Sequence, residues 1–447
     1  MSLLTLIALP IIGALVVAIA EPISTRRRWP ALPVALALAA LALEAILLWR
    51  APLGTPFTIA GVTLALSLLG RAALLAFCGL SALAVLYAWP VPQGEGFPAL
   101  AILLVAPLAG VLLGRDPLLA SLSLGLAGAV GALALPGGRL DAARPGLSLL
   151  ACTTLGAVVL TLPFALAGRY ALSPEEQGWV PAAVGLVAVG FGLIVGAAPL
   201  WLPGAGERGR PMAAALNAAW SGGAIILLLD FLASCRWLAT SPLLPGLLLA
   251  GGVAMLLFGA GIALLQSDPG RLSAYALVAS VGPVLLALAM RSAEGNALAL
   301  TLAAQRGLVG LILLGAAGVL RGGQAGAAEW RGRGRRFPLT TASLVVAALA
   351  LVLAPLVGTW PPARASLWQA SSLLAPAFAL AGMALLLAYG WFLYRLLRSR
   401  PGDEVAVREP RVAGIALLLL ALASLGLALH PGPLLALLRG LTSAVVP

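Results

Sequence analysis

The chain has 447 residues, 62% of them hydrophobic and 9% charged, with a mean hydropathy of +1.07, more apolar surface than a water-soluble globule of this length could bury. A net charge of +12 would suit a nucleic-acid binder, but all 27 basic residues are arginines, most of them dispersed in short segments between apolar runs, which tells against a basic nucleic-acid-binding face. Cys78, Cys152 and Cys235 fall in or at the ends of apolar runs without CxxC or Cys/His spacing, and His430 is the single histidine, so neither a metal site nor a bound cofactor is expected.

A membrane-spanning helix needs roughly 20 consecutive apolar residues. On that measure the sequence predicts an all-α polytopic membrane protein of about fourteen spans, at roughly 2–21, 30–49, 64–89, 97–114, 117–136, 147–168, 180–203, 212–234, 243–266, 272–290, 297–320, 338–360, 367–396 and 412–430. The first span has no basic residue before it and an arginine triplet after it, so it reads as an inserted helix rather than a cleaved signal peptide. Odd-numbered loops hold Arg26, Arg27, Arg28, Arg139, Arg144, Arg208, Arg210, Arg271, Arg321, Arg331, Arg333, Arg335, Arg336, Arg395, Arg398, Arg400, Arg408 and Arg411. Even-numbered loops hold Arg50, Arg115, Arg169, Arg236, Arg291 and Arg364. This bias places odd loops in the cytoplasm and both termini on the other side of the plasma (inner) membrane.

Along the chain, Glu44 in span two and Arg71 in span three are the first ionisable residues inside spans, and are expected to snorkel or to pair with each other. Span seven, GFGLIVGAAPLWLPG (190–204), carries Pro199 and Pro203 around Trp201. Asp230 lies near the end of span eight. Arg306, beside Gln305 in span eleven, is expected to be either a fixed charge on a polar axis or a structural arginine bonded to helix-break carbonyls or to a carboxylate such as Asp230. Span twelve carries Pro355, Gly358, Pro361 and Pro362 in APLVGTWPP. Proline removes a backbone donor and frees carbonyls that need partners inside the protein. Comparable breaks five spans apart point to two repeats meeting at a functional centre, with packing kinks as the alternative. The polar segments 321–337 and 398–411 are too short to fold alone, and suit solvated loops or docking surfaces for anionic lipid or a cytoplasmic subunit.

Four stretches resemble one family. LLQSDPGRLSAYALVASVGPVLLALAM (264–290), GFGLIVGAAPLWLPG, FPLTTASLVVAALALVLAPLVGTW (337–360) and RDPLLASLSLGLAGA (115–129) resemble, in order, segments of the antiporter-like membrane subunits of respiratory complex I, group 4 membrane-bound hydrogenases and Mrp-type cation/proton antiporters. Arg271, Leu272, Ala274, Tyr275 and Gly282 match the first of these, whereas Gly270 and Ala276 replace the usual Lys and Ser. The resemblance implies two inverted five-helix repeats with discontinuous helices seven and twelve. It divides the chain into spans one to three (1–96), a first repeat (97–234), a second repeat (243–396), and a cytoplasmic loop, last span and C-terminal tail (397–447). It also implies partners, the other membrane and redox subunits of a complex.

In that family a glutamate in helix five and lysines in helices seven, eight and twelve carry protons, lysine being titratable at midplane because burial disfavours its charge. The resemblance places Gly125, Gly192, Ser221 or Gly222, and Pro362 at those positions. None of these binds a proton, and drift toward arginine-rich composition would have left arginine rather than glycine, serine and proline. The sequence also holds no nucleophile–base pair or phosphate-binding loop. The expectation is a degenerate, mainly structural antiporter-like subunit of a complex I-like or hydrogenase-like redox complex. The alternatives are a working proton or cation path through Arg306 and Asp230, or an unrelated fourteen-helix carrier.

Overall fold

A computed structural model describes residues 3–27, 31–59, 61–136, 143–170, 178–208, 210–321, 332–355, 374–398 and 409–442. Gly358, Pro361, Pro362 and Arg364 lie outside the described residues. Among the described residues twelve helices are long and apolar enough to cross a membrane, and two shorter apolar stretches, Phe97–Leu113 and Pro338–Leu353, lie where spans four and twelve are predicted. The chain is a mostly helical, multi-pass membrane protein.

Helices α1 (Thr5–Arg27) and α2 (Leu32–Arg50) pack together at the periphery. A β-hairpin follows, β1 (Phe57–Ile59) antiparallel to β2 (Val62–Leu64), which corrects the all-helical expectation. The β-branched Thr58, Ile59, Val62 and Thr63 favour the strands, and Gly61 turns the chain at a φ of +82 that other residues adopt at a cost. Ser67 caps α3 (Leu68–Ala88) by accepting from the Gly70 amide at 2.9 Å. Span four divides at Leu104 into α4 (Phe97–Leu103) and α5 (Val105–Leu113), where Pro107 lacks the amide that would continue the ladder.

Helices α6 (Pro117–Ala134) and α7 (Ala143–Tyr170) lie against each other. Span seven is interrupted as expected, but ahead of its prolines: α8 (Val180–Phe191) passes through a π turn at Gly192–Gly196 into α9 (Ala198–Arg208), and Pro203 sits inside α9. Next come α10 (Pro211–Ser234), the short α11 (Arg236–Thr240) and α12 (Leu243–Leu264). Span ten is a further interrupted helix that the sequence did not reveal, α13 (Pro269–Ala279) and α14 (Val281–Ala289) meeting at Ser280. Pro283 removes an amide there, and the Ser280 hydroxyl donates at 2.7 Å to the Leu277 carbonyl within the opened turn.

Helix α15 (Ala293–Arg321) is followed by α16 (Arg333–Arg336) and α17 (Pro338–Leu353), which ends in a π turn at Ala354 and Pro355. Glu409 caps α17, accepting from the Thr340 amide at 2.7 Å and its hydroxyl at 2.6 Å. Helices α18 (Leu374–Leu397) and α19 (Arg411–Leu429) lead to α20 (Gly432–Thr442). The expected C-terminal tail is thus an amphipathic helix, whose Arg439 pairs with Glu294 at 3.4 Å.

The layering follows burial. In the most apolar windows of α10 and α15, 89% and 83% of residues are buried, against 28% in α1 and α12, so the former pair forms the centre and the latter face lipid. Small residues allow the central helices to approach closely. The tightest backbone contact joins α9 to α13: a Cβ on Gly270 would stand 2.0 Å from the Gly206 carbonyl oxygen. Backbone contact there leaves no room for the family's usual lysine. Arg321 closes the same junction, donating to the Gly206 carbonyl and pairing with Asp268, both at 3.1 Å.

Candidate functional site

Polar groups buried among membrane helices are costly unless bonded, so their partners define where chemistry could occur. Arg306, midway along α15, is 6% exposed. Its Nε donates to the Leu277 carbonyl of α13 at 3.2 Å, and one terminal nitrogen donates to the Ser221 hydroxyl of α10 at 2.7 Å and to the Ala218 carbonyl. Leu277 lies in the last turn of α13, where carbonyls of an ending helix carry partial negative charge that suits a cation. The carbonyls that bond Arg306 belong to Leu277 beside the interruption of span ten and to Ala218 of the continuous α10, not to the breaks of spans seven and twelve, and no carboxylate bonds it among the described residues.

A neutral network continues along α10. Asn217 donates to the Gly131 carbonyl of α6 at 3.1 Å and to the Ala213 carbonyl at 2.8 Å, and accepts from Trp220 Nε1 at 2.9 Å. The spacing of Asn217, Trp220 and Ser221 puts them about one helical turn apart, a signal that reading for charge alone had passed over. On α15, Gln305 donates to the Ala350 carbonyl of α17 at 3.1 Å, while its Oε1 is buried without a partner. Gln305, Arg306, Ser280 and Pro355 border a cavity of about 40 Å³, room for a few waters.

The positions placed at the family's proton carriers have three different surroundings. Gly125 is closed off, because a Cβ there would lie 2.8 Å from Ala157 Cβ on α7. Gly192, in the π turn, faces open space and lines an apolar groove of about 740 Å³ with Phe191, Met255 and Phe258. Gly222 also faces open space, in an apolar cavity of about 280 Å³ between α3, α10, α15 and α20. Ser221 is the acceptor for Arg306, so the guanidinium of α15 lies against α10 at Ser221. Pro362 lies outside the described residues, as does Pro361. Pro199 and Pro203 are in α9, and Pro355 is in the turn after α17.

Glu44 and Arg71 do not pair, contrary to one expectation. Arg71 donates to the Ala51 carbonyl, and Glu44, 1% exposed, has both carboxyl oxygens buried without a hydrogen-bond partner, so it does not snorkel either. Among the described residues no group of three or more His, Cys, Asp or Glu could hold a metal.

The described chain matches the NADH:quinone oxidoreductase/Mrp antiporter transmembrane family over residues 149–389. It is 30% identical over 284 residues to NADH-quinone oxidoreductase subunit N 2 of Acidobacterium capsulatum, covering 58% of this chain and 56% of that protein. The chain thus spans little more than half the length of this curated relative. Its fold is similar to a chain of the Mrp complex from Dietzia sp. DQ12-45-1b, with a TM-score of 0.78, 17% identity, and coverage of 99% of this chain and 97% of that one. It is likewise similar to a chain of respiratory complex I from Thermus thermophilus, with a TM-score of 0.77, 22% identity, and coverage of 100% and 99%. A chain of the archaeal membrane-bound sulfane sulfur reductase has a TM-score of 0.73 at 20% identity, over 95% of this chain and 75% of its own.

Proposed function

The chain belongs to the NADH:quinone oxidoreductase/Mrp antiporter transmembrane family, and we propose that it is an antiporter-like subunit of a multi-subunit membrane redox complex, degenerate in proton translocation and mainly structural. In this reading fourteen helices cross the membrane, spans four to eight and nine to thirteen form inverted repeats, and both termini face away from the cytoplasm. The domain limits are those drawn from the sequence, and anionic lipid and the other subunits are its partners. Family membership sets aside the unrelated-carrier alternative.

One observation carries the proposal. Ser221, which the resemblance places at the helix-eight lysine, is bonded to a guanidinium, which holds its proton too firmly to relay it. The closed contact at Gly125 and the apolar groove at Gly192 support it from the first half of the chain. The residual acids Glu44 and Asp230 lie on different helices from Arg306 and are not bonded to it, so they do not extend a path.

Purification from the native membrane in mild detergent, with mass spectrometry of what accompanies the chain, is the first test. Redox and membrane subunits are expected, and a lone protein or homodimer would overturn the complex. Degeneracy is tested separately by the proton-to-electron ratio of the reconstituted complex. Asp230→Asn and Glu44→Gln should leave that ratio unchanged, whereas a fall would favour a working path by a modified route.

A further inference from the structure

Resting on that reading, we infer that Arg306 has an activity of its own: it is a fixed-charge barrier that keeps the subunit tight to protons and metal cations. A subunit that has lost its proton carriers but kept interrupted helices and internal spaces would leak unless something closes them. Two such spaces flank α15. Leu302, Gln305 and Arg306 border the smaller cavity, and Ala303, Ala304 and Gly307 border the larger one.

The Arg306 side chain reaches from α15 across to Ser221, whose neighbours Trp220 and Gly222 line the larger cavity. The guanidinium and its bonds to α10 and α13 therefore form the partition between the two spaces. Both spaces are mostly apolar, and Gln305, which borders the smaller one, has its Oε1 buried without a hydrogen-bond partner.

The chemistry of the partition decides what it stops. A positive charge held among membrane helices, where screening is weak, repels an approaching hydronium or sodium ion. Because arginine does not release its proton, it cannot pass one on, as an amine at the same place would. No carboxylate among its bonding partners cancels the charge, and carbonyl dipoles from two helices hold it in place. Clamping alone would be satisfied by any side chain that packs and donates. The barrier requires the charge, and requires that it be permanent.

The test uses the intact complex in proteoliposomes, with an imposed potassium diffusion potential, proton entry read by an internal pH dye, and radioactive sodium and sulfate uptake read in parallel. Wild type should be as tight as protein-free liposomes. Arg306→Gln, which keeps donors but loses the charge, should raise proton and sodium entry about tenfold or more. Arg306→Lys should admit protons while still excluding sodium. Variants that assemble, keep the wild-type thermal midpoint and stay tight overturn the barrier. A leak that also passes sulfate overturns it too, because that marks lost packing. If Arg306→Gln does not assemble, Arg306→Lys decides alone, and a tight Arg306→Lys overturns the inference; if neither assembles, Arg306 is a clamp and the inference falls. Proton transport by wild type coupled to turnover would instead sink the degenerate-subunit reading, so the two failures are distinguishable.

Discussion

The surroundings of the two interrupted regions differ in kind. In the first half, the π turn at Gly192–Gly196 opens onto a wide apolar groove without a charged lining residue. In the second, the break at Ser280 places the ending carbonyls of α13 against a buried guanidinium and a small cavity walled by Gln305. A break by itself is therefore only an opportunity. It becomes a polar centre where a neighbouring helix brings a donor to the freed carbonyls, and a lipid-like groove where none arrives.

Substitutions can break or sharpen this contrast. The largest effect is expected where the halves touch: Gly270→Ala drives a methyl into the Gly206 carbonyl, and should cost more than about 4 kcal/mol, seen as loss of folded protein in size-exclusion profiles. Asn217→Leu keeps the branched shape, with a somewhat larger volume, but strands the Gly131 carbonyl and Trp220 Nε1, for about 2–3 kcal/mol and a lower thermal midpoint in detergent. Gly125→Ala, meeting Ala157 at a closed helix contact, should cost about 1–3 kcal/mol by the same assay. Gly222→Ala, with nothing within 4 Å of the added Cβ, should instead stabilise by about 0.5–1 kcal/mol through helix propensity. Equal losses at Gly125 and Gly222 would show that the open and closed positions are not distinct.

Particular elements show how far the sequence could be read. The interrupted span seven was visible because Gly and Pro act locally on the helix ladder, although the distortion falls at Gly192–Gly196 rather than at Pro203, which α9 accommodates. The interruption at Ser280 was missed, although Pro283 was in view, because a single proline in an apolar run does not say whether its helix kinks or opens. The hairpin at Phe57–Leu64 escaped because a short β-rich stretch between apolar spans carries the hydropathy of a span end. Opposite charges on Glu44 and Arg71 suit a pair, yet the Ala51 carbonyl takes the arginine, because proximity in sequence does not say which group a folded chain brings to it.

Composition and the spacing of apolar runs determined that this protein lives in a membrane, and the order of its motifs pointed to its family. Both are properties of local sequence, since a helix in lipid must satisfy its own backbone and remain apolar along its length. Which residues share the centre was decided by the tertiary structure. Arg306 and Ser221 are 85 residues apart, and their contact exists because α10 and α15 are packed through small side chains while α13 ends beside them. Hydropathy is the same for any arrangement of those helices, so it holds no record of which carbonyls a buried arginine will find.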